Sequence, residues 1–288
     1  MIETSRPVHG VVVAFHAADE LDGCLAPLAH QIELTVVDNS SSQEVCNVAR
    51  RRRAQYIDAG GNLGFAAGVN LALRQLSSGS PRDVLLLNPD AVLTVADLKL
   101  VSRHLHGPGN ERVSAVSPHL VGDGGVEQRV LWPFPTPWRA CAEAVGLRHL
   151  RTRRFFAIGA VLVLRWEAVQ EVGLFDERFF LYAEEADWQK RAADLGWSSK
   201  LCPSAVATHS GAGTSTDPLK REALFHAAHE TYIRKWYGPR GWFVYRSAAC
   251  IGAFARALVL VGERRTEATR RALLYLRGPR RCAAAGRD

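Results

Sequence analysis

Asp83-Val84-Leu85-Leu86-Leu87-Asn88-Pro89-Asp90 is an apolar run closed by a carboxylate. A short, continuously apolar run bounded by turn residues predicts a strand buried on both faces. On its N-terminal side lie three more short runs of this kind: VHGVVVAF (8–15), ELTVVD (33–38) and AQYID (54–58). Helical patterns separate them. Asp19 to His30 places Leu21, Cys24, Leu25 and Leu28 on one face, and Gln43 to Arg53 and Ala66 to Leu76 follow. On its C-terminal side, Ala96 to Leu105 reads as a helix and VSAVSP (113–118) as a strand. Strand–helix alternation at this pitch predicts an α/β fold with a mostly parallel, doubly wound sheet. Such sheets bind ligands just beyond the carboxyl ends of their strands, so the polar residues after each apolar run are the candidates for chemistry.

Farther along, residues 122–154 are loop-rich and contain Trp132, Pro133, Pro135, Pro137 and Trp138. A segment of this kind is a lid, an acceptor-binding flap or a long excursion. AIGAVLVL (157–164) resumes a strand, Glu184 to Leu195 reads as a helix, and SSKLC (198–202) and AVATH (205–209) read as short strands. Leu219 to Trp236 is an amphipathic helix. These patterns divide the chain into an α/β domain over 1–238 and a basic, amphipathic helical tail over 239–288.

The chain has 288 residues, 47% hydrophobic and 23% charged, the make-up of an ordinary globular protein. With no internal repeat or low-complexity tract, solenoid and disordered classes are excluded. Six scattered cysteines without metal spacing fit reduced thiols, and the N-terminus lacks the pattern of a signal peptide, so a cytoplasmic location is expected. The apolar stretch from Ala248 to Gly262 is too short to span a bilayer and contains Arg256.

Charge is uneven. Residues 235–288 carry Lys235 and eleven arginines against Glu263, Glu267 and Asp288, and the rest of the chain is near neutral. This argues against nucleic-acid binding by the main body and for a tail that meets an anionic surface, such as phospholipid or a lipid diphosphate. Trp242, Phe243 and Tyr245 read as an interfacial aromatic cluster. Ile251, Phe254, Leu258 and Leu260 read as an apolar stripe flanked by Arg246, Arg256, Arg264 and Arg265. The tail is expected to dock peripherally on the inner face of a membrane, or else to pack on the main domain or on a second subunit.

Five stretches carry candidate chemistry. Asp38-Asn39-Ser40-Ser41 closes the second strand, where an acid can accept hydrogen bonds from a nucleobase or ribose; Asp also caps helices. In Gly60-Gly61-Asn62-Leu63-Gly64-Phe65-Ala66-Ala67-Gly68-Val69-Asn70, Gly64 and Gly68 allow close backbone approach, and Asn62 and Asn70 offer amides. This is neither a P-loop, which needs Gly-Lys-Ser/Thr, nor the dinucleotide fingerprint, which follows the first strand. Asn88-Pro89-Asp90 puts a carboxylate at the ligand edge, where one acid plus diphosphate oxygens can hold Mg2+ or Mn2+, though Asp is also a turn residue. Glu184, Glu185 and Asp187 crowd a helix start. The helix dipole favours them there, and their repulsion raises one carboxylate's pKa, which suits a general base. His209 ends a strand before a small-residue loop containing Ser210, Gly211, Gly213 and Ser215; it is a metal or phosphate contact, or a structural histidine.

In this order, VVDNSS, GNLGFAAGVN, LLLNPD, VGLFDERFFLYAEEADW and THSGAGTS resemble glycosyltransferase family 2, the inverting enzymes of the GT-A fold, and within it a rhamnosyltransferase-like branch acting on cell-wall and lipid-linked glycans. The resemblance spans roughly residues 8–237. It implies a nucleotide-sugar donor, dTDP-rhamnose or a UDP-sugar, and a lipid-linked or glycan acceptor. It implies that Asp38, Asn39, Asn62, Gly64 and Asn88 line the donor site. It further implies that Asp90 and His209 meet a divalent cation and that Glu185 deprotonates the acceptor. Two departures stand out. The first acid of the family's DxD motif is Asn88 here, and the expected Glu-Asp pair is Glu184-Glu185, so Glu184 and Asp187 stay candidates for the base. A sugar nucleotidyltransferase would carry a Gly-rich basic loop after the first strand, where this chain has His16-Ala17-Ala18-Asp19. A non-catalytic nucleotide-sugar-binding module on the same fold is the remaining alternative.

Overall fold

The structure is a computed structural model that describes residues 6–77, 79–147, 152, 154–211 and 218–285. Gly213 and Ser215 of the late loop lie outside the described residues. The chain forms two compact units. The first comprises residues 1–133, 154–180 and 184–216, and the second 134–153, 181–183 and 217–288.

The strands of the first unit are β1 (Val8–Ala14), β2 (Glu33–Asp38), β3 (Gln55–Asp58), β4 (Asp83–Leu87), β5 (Ala91–Leu93), β6 (Val113–Val121), β7 (Glu127–Gln128), β8 (Leu131–Pro133), β9 (Phe155–Ala157), β10 (Val161–Leu164) and β11 (Ser198–His209). Among the described residues the main sheet runs β3-β2-β1-β4-β10-β6-β11-β5, with β7 on β6 and a separate β8-β9 pair. From β3 to β4 it is parallel, as alternation predicts. Helices α1 (Ala18–Leu25), α2 (Gln43–Arg51) and α3 (Phe65–Leu76) make those crossovers. The predicted face of α1 and the turn after it is fully buried at Leu21, Cys24, Leu25 and Leu28. Gly68 of α3 faces β1 so closely that an added Cβ would sit 2.8 Å from Val13 Cγ1.

Beyond β4 the sheet is mixed. β10 runs antiparallel to both β4 and β6, and β5 antiparallel to β11. SSKLC and AVATH form one strand, β11, which pairs with β6 across irregularities at Ser198/Ser199 and Cys202/Val206. Helices α4 (Val95–Leu105), α6 (Trp166–Val172) and α7 (Glu184–Asp194) complete the unit. Thr94 caps α4 by accepting from Asp97 N at 3.1 Å.

At the amino end of β4, Asp83 is fully buried and takes part in a polar network absent from the sequence reading. Its Oδ1 accepts from Trp166 N at 3.0 Å, and its Oδ2 meets His106 Nε2 at 2.5 Å. Arg165 meets His106 Nδ1 at 3.2 Å and donates to the carbonyls of Val113, Asn110 and Leu105. Removing one partner strands the others away from water. Asp83→Ala is expected to lower unfolding free energy by about 3 kcal/mol. Denaturant unfolding checks this, and a loss below about 0.5 kcal/mol, the level of ordinary surface changes, contradicts it.

The second unit is helical: α5 (Pro137–Ala144), α8 (Pro218–Val259), α9 (Gly262–Arg277) and α10 (Pro279–Ala285). Thr136 caps α5, with proline at its first turn. α8 breaks at Gly238, where φ is 66° and Pro239 follows. Proline removes a helical N–H and glycine tolerates the positive φ, so the break is written in the sequence. Before the break, Glu222 accepts from Arg270 and Arg271 of α9, and Tyr275 OH lies 2.8 Å from His226 Nδ1. Burial holds His226 neutral, its pKa pushed down to about 3. After the break, Trp242 is buried and stacks on Tyr245, with Tyr275 packed against both rings. Arg246 donates to the carbonyls of Tyr275 and Leu276. Of the residues expected at a membrane surface, Trp242 is therefore buried in this helical unit, and the half-buried Tyr245 and Arg246 pack against α9. Among the described residues no helix is long and apolar enough to cross a membrane.

Candidate active site

Because β1 to β4 run parallel, the loops after them gather at one sheet edge. Asp38 closes β2 with no exposed surface. Its Oδ1 accepts from Ser40 N (2.8 Å) and Ser40 Oγ (2.5 Å), and its Oδ2 from Ser42 N (2.7 Å) and Tyr56 OH (2.9 Å). The carboxylate thus shapes the 38–42 turn, and Ser42 caps α2. Asn39 is also buried. Its Nδ2 donates to Gly64 O at 3.1 Å, while its Oδ1 has no partner among the described residues. That amide ties the loop after β2 to the loop after β3.

In the latter loop, Asn62 is exposed and its Oδ1 accepts from Gly64 N at 3.1 Å. Gly64 has φ 84°, and an added Cβ would overlap the Phe180 carbonyl, so only glycine fits. Phe65 N donates to that carbonyl at 2.8 Å, which starts α3 against the 175–180 segment. Asn70, the last amide of the motif, serves this packing. Its Oδ1 accepts from Phe175 N and its Nδ2 donates to Phe175 O, each at 2.9 Å. Asp58, unremarked in the sequence, accepts from Ser41 Oγ (2.7 Å) and Gly60 N (2.9 Å), which hold its carboxyl below the usual range.

After β4, Asn88 N donates to Ala160 O at 2.9 Å, and Asn88 O accepts from Cys24 Sγ at 3.4 Å. Burial foremost, then the charge of Asp90, pushes the Cys24 thiol up, so it stays protonated. The Asp90 side chain is 3% exposed, and its Oδ1 lies 3.5 Å from His209 Nε2. β5 pairs with β11 at Ala91–His209, and Ser210 N donates to Asp90 O at 3.2 Å. The backbone thereby fixes the two residues beside each other.

Gln128 on β7 decides the state of the imidazole. Its Nε2 donates to His209 O at 2.7 Å, since a carbonyl only accepts. Its Oε1 is then the atom 2.9 Å from His209 Nδ1, which must carry the proton. The imidazole Nε2 is left facing Asp90. Sequence reasoning missed Gln128 because only the β6–β7 pairing brings it to His209.

Of the three acids at the start of α7, Asp187 is fully buried and pairs with Arg191, whose guanidinium also donates to the carbonyls of Val172 and Leu174. Glu184 is 6% exposed, and its Oε2 has no partner among the described residues. Burial first, then the charge of Glu185, drives its pKa up. Glu185 is half-buried, with an unpartnered Oε2, and burial raises its pKa while the amides of Glu185, Ala186 and Gly159 pull it back. A Cβ on Gly159 would touch Glu185 Cβ and Cγ at 3.6 Å. Asn88–Ala160 and Gly159–Glu185 are therefore consecutive contacts linking the β4 end to the start of α7. Gln189 secures this arrangement by bonding both N and O of Ala157, at 2.8 and 2.7 Å. The aromatics of the same motif serve the core: Phe175 stacks on Trp188, which donates to Gly173 O.

No protein-family profile matches the chain. Among curated proteins it is 26% identical over 231 residues to a low-salt glycan biosynthesis hexosyltransferase of Haloferax volcanii, covering 77% of this chain and 71% of the relative. It is 27% identical over 275 residues to the N-acetylglucosaminyl-diphospho-decaprenol L-rhamnosyltransferase of Mycobacterium tuberculosis, covering 83% and 89%. Among solved structures it resembles glucosyl-3-phosphoglycerate synthase of M. tuberculosis in complex with Mn2+, UDP and phosphoglyceric acid (TM-score 0.54, 17% identity, 81% and 80% covered). It also resembles GalNAc-T7 with UDP, GalNAc and Mn2+ (TM-score 0.57, 12% identity, 96% and 56% covered). The fold is of the GT-A, nucleotide-sugar transferase type. The chain is a glycosyltransferase.

Proposed function

We propose that this chain is an inverting, family 2 glycosyltransferase that takes its sugar from a nucleoside-diphosphate donor. Its acceptor is a hydroxyl on a lipid-linked or cell-envelope glycan, met on the cytoplasmic side of a membrane. The observation that carries this reading is the half-buried Glu185 carboxylate, one oxygen unpartnered, linked through Gly159 and Ala160 to the strand end that bears Asp90 and His209.

In this reading the loops holding Asp38, Asn39, Asn62, Gly64 and Asn88 line the donor nucleotide. Asp38 acts through the turn it shapes, since its own oxygens are occupied by that turn. Glu185 takes the acceptor proton. The acceptor oxygen bonds to the anomeric carbon as the bond to the diphosphate breaks on the opposite face, so the configuration inverts. Asp90 and His209 would hold a divalent cation, Mg2+ or Mn2+, through one carboxylate and one imidazole nitrogen. Such a cation supplies positive charge beside the departing diphosphate. Glu184 and Asp187 support rather than react, because burial and the Arg191 pair withhold them from an acceptor.

The donor placed first is dTDP-rhamnose, on the sequence resemblance and the similarity to a rhamnosyltransferase, with UDP-sugars next. Thermal unfolding with dTDP-, UDP- and GDP-linked sugars, paired with an assay for slow donor hydrolysis, tests the reading. Stabilisation by dTDP or UDP donors with measurable hydrolysis is expected. Preference for GDP contradicts the donor assignment, and binding without any turnover contradicts catalysis. Gln128→Leu frees the imidazole to rotate. It is expected to raise the Mn2+ concentration for half-maximal activity roughly 10–100-fold. Titration of activity against Mn2+ reads the effect, and an unchanged midpoint removes Gln128 from that role.

A further inference from the structure

In the second half of α8, one side packs on α5, where a Cβ on Gly252 would sit 3.0 Å from Ala144 Cα. Another side packs on α9, through Cys250 and Arg246. The helical step of roughly 100° leaves a third side carrying Arg240, Phe243, Ile251, Phe254 and Leu258. Phe243, Ile251, Phe254 and Leu258 are 71%, 66%, 42% and 85% exposed, and the stripe extends into Val259 and Val261 at 81% each. From Phe243 to Leu258 it runs roughly 22 Å. Exposed arginines accompany it, Arg240 at one end and Arg264 and Arg265 past the other. α9 adds Leu273 and Leu276, exposed by 41% and 51%. Over residues 239–285 the acids are Glu263 and Glu267 alone.

We propose that this face of α8 docks on a lipid bilayer bearing anionic headgroups. Single exposed apolar residues need no explanation; a continuous stripe of large ones does. Apolar side chains in line with arginines match the boundary between acyl chains and anionic headgroups, where each arginine and each buried side chain adds to reversible attachment. A second copy of the chain is the poorer occupant, because pairing two such faces brings arginine against arginine. The inference does not rest on the catalytic reading, and its test reads binding alone.

The experiment is co-sedimentation of the full chain with vesicles of phosphatidylcholine, with and without phosphatidylglycerol. The wild type is expected to bind the anionic vesicles and to bind at least about tenfold less in high salt or on phosphatidylcholine alone. The triple variant Phe243→Ser, Ile251→Ser, Leu258→Ser is expected to bind at least about tenfold less while melting as the wild type does. A second variant, Arg264→Glu with Arg265→Glu, touches no apolar residue and is expected to lose binding to anionic vesicles as well. Equal partitioning of wild type and both variants overturns the proposal. So does sedimentation equilibrium showing a wild-type dimer, without vesicle binding, that the triple variant abolishes.

Discussion

Glu185→Gln is expected to lower the rate of sugar transfer by roughly 10²–10⁴-fold, the usual contribution of a positioned base. The amide keeps the shape of the carboxyl group and its place beside Gly159. Donor-induced thermal stabilisation is therefore expected to survive. Asp187→Asn provides the contrast: it weakens the bond to Arg191 and is expected to cost stability with a smaller loss of turnover. The pH profile adds a second readout. Only the ionised base accepts a proton, and burial raises the Glu185 pKa above that of an ordinary glutamate. As pH falls, the wild-type rate is therefore expected to decline sooner than an exposed glutamate of pKa 4.5 would dictate. Because Glu184 lies beside it with its own pKa raised, the acid limb belongs to the pair rather than to one residue. The assignment fails if Glu185→Gln transfers at the wild-type rate while Glu184→Gln is inactive.

How much of this was legible in the sequence differs by residue. Asp38, Asp90 and His209 end apolar strands, and strand ends can be read from hydrophobic runs alone. Glu184 and Glu185 begin a helix whose burial pattern is equally local. The roles within these groups were not legible, because they depend on partners distant in the chain. Asp38 reads equally as a nucleotide contact or a loop clamp, and its bonds to Ser40, Ser42 and Tyr56 come only with the folded turn. Gln128 sits in a glycine-rich segment with no periodicity and reaches His209 only through strand pairing. The same reason explains the tail. Periodicity gave a helix with aromatic and basic residues, but which face α9 would cover was not local information. Trp242 went inside with Tyr245 stacked on it, and Phe243 stayed out. Likewise, alternation foretold the parallel half of the sheet, where helices connect the strands, and not the antiparallel insertion of β10.

Asp90→Ala is expected to reduce turnover on the order of 10²–10³-fold, the loss seen when one stabiliser of transition-state charge is removed. The structure gives a reason to expect the fold to persist. The backbone ties of this turn, Ala91 N to Asn88 O and Ser210 N to Asp90 O, do not need the side chain. The β5–β11 pairing continues through Ala91 and His209 regardless. What the substitution removes is one of two acceptors held 3.5 Å apart, Asp90 Oδ1 and His209 Nε2, the second turned there by Gln128. A nearly buried carboxylate this close to an imidazole nitrogen suits a shared positive charge. A proton satisfies that condition, and so would a divalent cation. The two differ in what they predict. If a proton suffices, activity survives excess chelator and Asp90→Asn, which keeps a hydrogen-bonding partner, retains most turnover. If a cation is required, chelator abolishes transfer, Mn2+ or Mg2+ restores it, and Asp90→Asn is nearly as impaired as Asp90→Ala. Full activity of the wild type in excess chelator sinks the metal assignment while leaving Glu185 untouched, since the base needs no cation to accept its proton.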